Sequence, residues 1–325
     1  MKLSRKIASI QAILKAKIFN KRTPLLVNWE ITKRCNARCK YCSIWNSTSK
    51  ELDTKEVLSI IQELGLLGTQ MIHFTGGEPL LREDIGIILD YCHKNNILTS
   101  MNSNGAYIPQ RINEITTLYL LGISIDGPED VHDYIRGKGS YRKAIEAITA
   151  ARNKGIKLRL LAVLSECNLD VVDFLLEKST EFNAPIIFQP ATQLLLGAKT
   201  KNPIAPNLDR YKQTIKKLIA KKSATKYIVN SVSGLNFLYN WPDMKRVRCL
   251  SQLVSCRIQS DGHVYRCYRN QDQAVKIDEK RNSIKDSFSQ LPFVHCDCCC
   301  CASSVELNCL LSLKLDTIFN SWGFI

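Results

Sequence analysis

The chain has 325 residues, 45 Lys and Arg against 30 Asp and Glu for a formal charge of +15 at pH 7, and 45% hydrophobic content. That is a soluble globular composition with core enough for one large domain and a smaller one. No run approaches the roughly 18 apolar residues of a spanning helix, and no apolar segment with a small-residue cleavage site opens the chain, so the expected location is cytoplasmic. The basic excess points to an anionic partner. Without an aromatic-interleaved basic tract or a recognisable nucleic-acid module, nucleic acid is disfavoured.

Residues 3 to 19 place Leu3, Ile7, Ile10, Ile13, Leu14 and Ile18 near helical spacing among Lys2, Arg5, Lys6, Lys15 and Lys17. Such a basic amphipathic helix either packs its stripe on the protein's own surface or makes a peripheral contact, through residues 1–20, with the inner face of an anionic membrane. From residue 25 strands and helices alternate. Strands are expected from residue 25 (LLVNWEI) and at 69–74, 97–103, 118–126, 156–164 and 184–190. Helices are expected at 54–67, 81–96, 109–115, 140–155 and 168–182. Six strands, apolar along most of their length and separated by helices, predict an α/β fold with a parallel sheet. Eight would close a full barrel, so an open, TIM-type partial (β/α)6 barrel fits better. The expected domains are a basic N-terminal helix (1–24), the partial barrel (25–206), a helical connector (207–248) and a small cysteine-rich C-terminal domain (249–325). The last contains a hairpin over 256–267, turning at Asp261-Gly262.

Cysteines are numerous and uneven. Of fourteen, Cys35, Cys39 and Cys42 form one group and nine fall between Cys249 and Cys309, with Cys92 and Cys167 apart as small buried hydrophobes. In a reducing compartment such clustering argues for metal ligation. The C-x3-C-x2-C loop follows the first strand and can aim three thiolates at one centre. Three thiolates on a [4Fe-4S] cubane leave one iron open, whereas a structural zinc site takes a fourth ligand. In a parallel sheet ligands bind at the carboxyl ends of the strands. There the chain supplies this loop, then Gly76-Gly77-Glu78-Pro79, Asn102 to Gly105, Ser124 with Asp126, Ser165 and Gln189.

CNARCKYC, TGGEP and ISIDGP in this order resemble the radical S-adenosylmethionine (SAM) enzymes over roughly residues 25 to 190. The resemblance implies a [4Fe-4S] cluster on Cys35, Cys39 and Cys42 whose open iron chelates SAM, reductive cleavage of SAM to a 5′-deoxyadenosyl radical, and hydrogen abstraction from a substrate. By matching position, Tyr41 would meet adenine or shield the cluster. Gly76, Gly77 and Glu78 would hold the methionine amino group, and Ser124 with Asp126 the ribose. Arg136, in the loop after strand 4, is either a partner for SAM's carboxylate or an anionic substrate, or a solvated loop arginine.

Cys249-x6-Cys256-x10-Cys267 resembles the first half of the SPASM or Twitch extension, which carries auxiliary iron–sulfur clusters. This implies at least one auxiliary [4Fe-4S] cluster on Cys249, Cys256, Cys267 and a later cysteine such as Cys309, with Cys296, Cys298, Cys299 and Cys301 as further candidates and zinc as the alternative metal. The function implied is a radical SAM oxidoreductase or maturase acting on a peptide or protein and served by a flavodoxin or ferredoxin-type electron donor. Only about two dozen residues precede the first strand, too few for the peptide-recognition domain many maturases carry. The alternatives are modification of a lipid, isoprenoid or tetrapyrrole at a membrane surface, and a non-catalytic iron–sulfur electron carrier.

Overall fold

A computed structural model describes residues 22–47, 49–243, 249–277, 283–293 and 299–322. The expected N-terminal helix and the cysteines at 296 and 298 lie outside the described residues. Six strands, β1 (Leu26–Thr32), β2 (Met71–Gly76), β3 (Leu98–Ser103), β4 (Leu120–Ser124), β5 (Leu158–Leu164) and β6 (Ile186–Pro190), pair in chain order and all in parallel. The crossovers carry α1 (Thr54–Leu66), α2 (Ile85–Lys94), the short α3 (Ile108–Arg111), α4 (Glu129–Arg136), α5 (Ser140–Asn153) and α6 (Val172–Glu181). This is the expected six-stranded partial barrel.

Local chemistry sets the helix starts. Asp53 accepts from Glu56 N at 2.9 Å while the Glu56 carboxylate accepts from Asp53 N at 2.7 Å, a capping box at the head of α1. One helix departs from expectation: α4 occupies residues read as loop. Its charged sequence EDVHDYIR offers only Val131 and Ile135 as an apolar i, i+4 pair, too little for a periodic signal.

The strands are not apolar on both faces. In β5 burial alternates: Leu158, Leu160, Ala162 and Leu164 are buried, while Arg159, Leu161 and Val163 are half-buried. The in-register neighbours Asn28, His73 and Ser100 share one concave face of the sheet, as do Asn102, Gly122 and Arg159. Alternate positions point to opposite faces, so the helices cover the apolar side and the barrel interior is lined with polar groups.

The C-terminal part continues the same sheet. After α7 (Leu208–Lys222) and α8 (Val232–Tyr239), β7 (Ser255–Ile258) lies parallel to β1, pairing Val27 with Cys256 and Asn28 with Arg257. β8 (His263–Tyr265) folds back on β7 through the expected turn, where Gly262 takes φ +87, and β9 (Val275–Lys276) follows antiparallel to β8. α9 (Ile284–Gln290), α10 (Ala302–Leu311) and α11 (Leu315–Trp322) complete the described chain. Val27, Leu121, Ile215, Ile258, Phe288 and Val305 belong to one continuous core. No helix among the described residues is long and apolar enough to cross a membrane.

Candidate active site: two groups of cysteines and a buried arginine–aspartate pair

β1 delivers the three-cysteine loop to the rim, and backbone bonds hold it there. Lys40 N donates to Ile135 O at 2.9 Å, Ser43 N to Leu196 O at 2.9 Å, and Leu196 N to Tyr41 O at 3.1 Å. Ala37 N points at Cys35 Sγ, 3.4 Å away. Cys42 feels both Cys39 and Cys35 electrostatically, and burial pushes it up to about 11. Burial raises Cys35 and Cys39 too, with Arg136 opposing the rise at Cys39. Three half-buried thiols within reach of one another, with an N–H and a guanidinium directed at sulfur, fit a cluster that must be held by thiolates. Among the described residues no three His, Cys, Asp or Glu side chains converge on a single point as ligands of one ion do.

Gly76 and Gly77 clamp this loop. Gly77 N donates to Thr32 O and Glu78 N to Arg34 O, both at 2.8 Å, and a Cβ on Gly77 would lie 2.1 Å from Arg34 O. Only glycine allows that approach. Glu78 is fully buried and turned inward: its carboxylate accepts from Ser103 Oγ at 2.9 Å and from Asn104 N at 2.8 Å. Desolvation pushes it up to about 7 despite those bonds. The Glu78 side chain therefore ties β2 to β3.

Asp126, just beyond β4, is the hub of the rim. Its carboxylate accepts from Arg136 Nε at 2.6 Å, Tyr41 OH at 3.1 Å and Val163 N at 2.9 Å. Arg136 closes α4, is buried, and directs Nη1 at Cys39 Sγ, 3.9 Å away, with its guanidinium 5.5 Å from the Tyr41 ring centroid. The solvated-loop reading of Arg136 is thus corrected. The end of α4 lies against the cysteine loop, where Ile135 and Arg136 are both buried and Ile135 O accepts from Lys40 N. Ser124 is half-buried, and its hydroxyl has no protein partner among the described residues.

Two residues escaped the sequence reading. Asn168 donates to Asp126 O at 2.9 Å and Val163 O at 3.0 Å and accepts from Ser165 N, joining the ends of β4 and β5. His132 Nδ1 accepts from Asp126 N at 3.1 Å, and burial with the nearby Arg136 holds the ring down to about 4. Asn168 three residues after Ser165 was a readable signal for a side-chain turn. Cys167, expected as a small buried hydrophobe, is only half-buried and packs with Cys39 and Cys42 against Tyr41 and Ile135.

In the second group the cysteines gather around Cys299. Cys299 lies within electrostatic reach of Cys301, Cys300, Cys267 and Cys249. Cys256 and Cys309 are not among them. Cys256 is buried in the core opposite Val27, and Cys309 sits on α10 beside Glu306 and Asp316; burial pushes each up to about 12. β-strand alternation is the reason for Cys256: with Arg257 on the lumen side, its neighbour faces the helices. Cys301 caps α10. Burial opposes its ionisation, but Arg257 and the Ser304 and Ser303 donors outweigh burial and leave the thiol below its ordinary value. Arg257 Nη2 approaches Cys301 Sγ to 3.5 Å.

A parallel partial barrel with a three-cysteine loop and a buried aspartate–arginine pair at the strands' carboxyl ends defines the class. The Radical SAM superfamily model matches residues 29–177, the stretch that holds the three-cysteine loop, Gly77, Asp126 and Arg136. It is 26% identical over 253 residues to the mycofactocin maturase MftC of Mycolicibacterium smegmatis, covering 75% of this chain and 64% of the relative. It is 28% identical over 177 residues to the Fe-coproporphyrin III synthase of Methanosarcina barkeri, covering 52% and 44%. Both spans are below two thirds of the relative's length. The fold matches that of anSMEcpe with bound AdoMet and the Cp18Cys peptide, at TM-score 0.64, 20% identity, 81% of this chain and 79% of that one.

Proposed function

We propose that the chain is a radical SAM maturase that abstracts hydrogen from a peptide or protein substrate. The observation that carries the reading is the link from Cys39 through Arg136 and Asp126 to the end of β4 and the Val163 backbone. This link couples the metal loop to the sheet edge where a ligand would lie, and an electron carrier has no use for it.

When bound on Cys35, Cys39 and Cys42, a [4Fe-4S] cluster would supply the electron that cleaves SAM to the 5′-deoxyadenosyl radical. The chain's own residues fix the rest. Gly76 and Gly77 keep the turn against the loop and leave backbone for the methionine amino group. Ser124 offers its unpaired hydroxyl to the ribose. Asp126 and Glu78, each already accepting three protein hydrogen bonds, act as positioning groups. Tyr41 shields the loop. Arg136, with only Nε spent on Asp126 and Nη1 near Cys39, keeps donors for a carboxylate.

We assign the auxiliary cluster to Cys249, Cys267, Cys299 and Cys301, with Arg257 offsetting its charge, and a flavodoxin or ferredoxin-type protein of the cytoplasm as electron donor. The peptide reading draws on MftC. The Fe-coproporphyrin III synthase likeness supports a tetrapyrrole as the second reading. Anaerobically reconstituted protein with dithionite should convert SAM to 5′-deoxyadenosine, measured by chromatography. Absence of that product in protein shown to hold iron would favour the carrier reading.

A further inference from the structure

We propose that the barrel interior contains a seat for a carboxylate of the substrate, built on Arg159 with Asn102 beside it. The inference rests on the radical SAM reading, because it concerns what that chemistry acts on.

Arg159 is the second residue of β5 and points into the lumen. Its in-register neighbour on β4 is Gly122, and Gly122 in turn pairs with Asn102 on β3. A Cβ at Gly122 would lie 2.4 Å from Asn102 Oδ1 and 2.7 Å from Leu161 Cδ1, so the absence of a side chain there leaves the floor on which Asn102 leans. Arg159 Nε is buried with no acceptor, and Asn102 Oδ1 is buried with no donor. One layer of the barrel thus holds an unmet donor and an unmet acceptor, and buried groups of this kind are ordinarily paired. Asn102 Oδ1 can take an N–H of the molecule whose carboxylate Arg159 receives.

The charges leave the same gap. Among the described residues neither Arg159 nor Arg257 has an Asp or Glu carboxylate within ion-pair distance. Arg257, on β7, directs Nη2 at Cys301 Sγ from 3.5 Å and stacks 3.8 Å over the Tyr268 ring. Two guanidiniums thus share this side of the sheet with no carboxylate partner among the described residues. Glu30, on the same side of β1 as Asn28, accepts from Tyr265 OH at 2.6 Å. His73 adds no further positive charge: burial, with Arg159 and Arg257 nearby, holds it down to about 3, and it shares a hydrogen bond of 2.8 Å with Ser100. A single negative charge with two oxygens meets this excess, and the planar guanidinium fork matches a carboxylate in two bonds.

The position suits the chemistry above it. Val163, whose N–H meets Asp126 at the rim, lies four residues further along β5, about 13 Å at ~3.3 Å per residue. A substrate anchored by its carboxylate at Arg159 would reach the rim with a side chain or a short stretch of backbone between.

The test uses the iron-reconstituted full chain with SAM present, titrated calorimetrically under anaerobic conditions. N-acetyl-trialanine is compared with its C-terminal amide, and a tetrapyrrole propionate with its methyl ester. In wild-type protein the acid of at least one pair should bind about 30-fold tighter than its neutral partner, and the discriminating pair identifies the carboxylate's source. Arg159→Gln should bring that ratio close to one. Arg159→Lys, which keeps the charge and loses the fork, should give an intermediate ratio and carries the test if the Gln variant does not fold. No discrimination in wild type, or a ratio unchanged in both variants, overturns the proposal. The ratio is read without turnover. A wild-type protein that discriminates but makes no 5′-deoxyadenosine therefore keeps the seat and loses the radical SAM reading.

Discussion

The two cysteine groups are built in opposite ways. The N-terminal group lies within one loop of eight residues, fixed by backbone bonds to Ile135 and Leu196, so its order in sequence is nearly its order in space. The C-terminal group is gathered from Cys249 ahead of β7, Cys267 beyond β8 and Cys299 to Cys301 ahead of α10. It depends on Asn308, whose Oδ1 accepts from Leu250 N at 2.6 Å, to hold the first segment against α10. Their electrostatics differ as well: burial raises all three loop thiols, whereas Arg257 and the head of α10 bring Cys301 below its ordinary value. A contiguous motif carries its own geometry, while an assembled one borrows it from the fold.

The largest expected effect separates the groups outright. Replacing Cys35, Cys39 and Cys42 with Ala should abolish 5′-deoxyadenosine formation while leaving iron bound at the C-terminal group. Replacing Cys249, Cys267 and Cys301 should remove that second iron pool and leave the first. Iron analysis with product chromatography on both triple variants reads the result. Iron falling to zero in the first variant would mean that the second group is not an independent site.

The loop's dependence on its anchor comes next. Asp126→Asn leaves Arg136 buried without its counter-charge, which should cost about 3–5 kcal/mol in urea unfolding of the metal-free protein. Adding Arg136→Met should recover much of that loss, since the pair rather than either residue is what burial tolerates. Equal stability of single and double variants would mean that the Asp126–Arg136 contact does not hold the loop.

The same contrast explains what could be read in advance. All six barrel strands were legible, because their helix-facing halves are strongly apolar and their ends carry polar turns. The three loop cysteines, Gly77 and Asp126 were legible from order alone. The lumen was not: Asn28, His73 and Arg159 alternate with buried apolar residues, and a mixed strand conceals which half lines a cavity. The face that Cys256 takes was not legible either, because spacing records distance along the chain and ignores which side of β7 a side chain occupies. Arg136 acts through tertiary contacts that no local period encodes, and the local spacing of Ser165 and Asn168 does not reveal the bond from Asn168 to Asp126 O.

A pH-dependent effect belongs to the C-terminal side. Burial pushes Glu306 up to about 7, although Ser231 N donates to its Oε1 at 3.0 Å. An acid raised above its unfolded value binds its proton more tightly in the native state. Its contribution to stability is therefore full below about pH 4.5 and is lost as pH rises through about 7. Wild-type protein should lose about 2–3 kcal/mol between about pH 5 and 8 that Glu306→Gln retains. Denaturant midpoints at the two pH values measure the difference, and parallel pH profiles would place the charge elsewhere.

The smallest effect sharpens the comparison most, because it leaves every ligand in place. Gly77 has no positive φ, so Gly77→Ala acts through space alone: its Cβ meets the carbonyl of Arg34 and must displace the start of the cysteine loop. Overpacking of this kind should cost about 1–3 kcal/mol and should slow SAM cleavage. Gly262, at φ +87 in the β7–β8 turn with Leu52 Cδ2 3.3 Å from its ideal Cβ, is the counterpart on the other side. Gly262→Ala should cost about 1–2 kcal/mol through backbone strain, and it shifts the hairpin that leads to Cys267. If loop and assembled group are independent, Gly77→Ala changes the 5′-deoxyadenosine rate without altering the C-terminal iron content, and Gly262→Ala does the reverse. A crossed effect would show instead that β7, lying directly against β1, transmits a displacement from one group to the other.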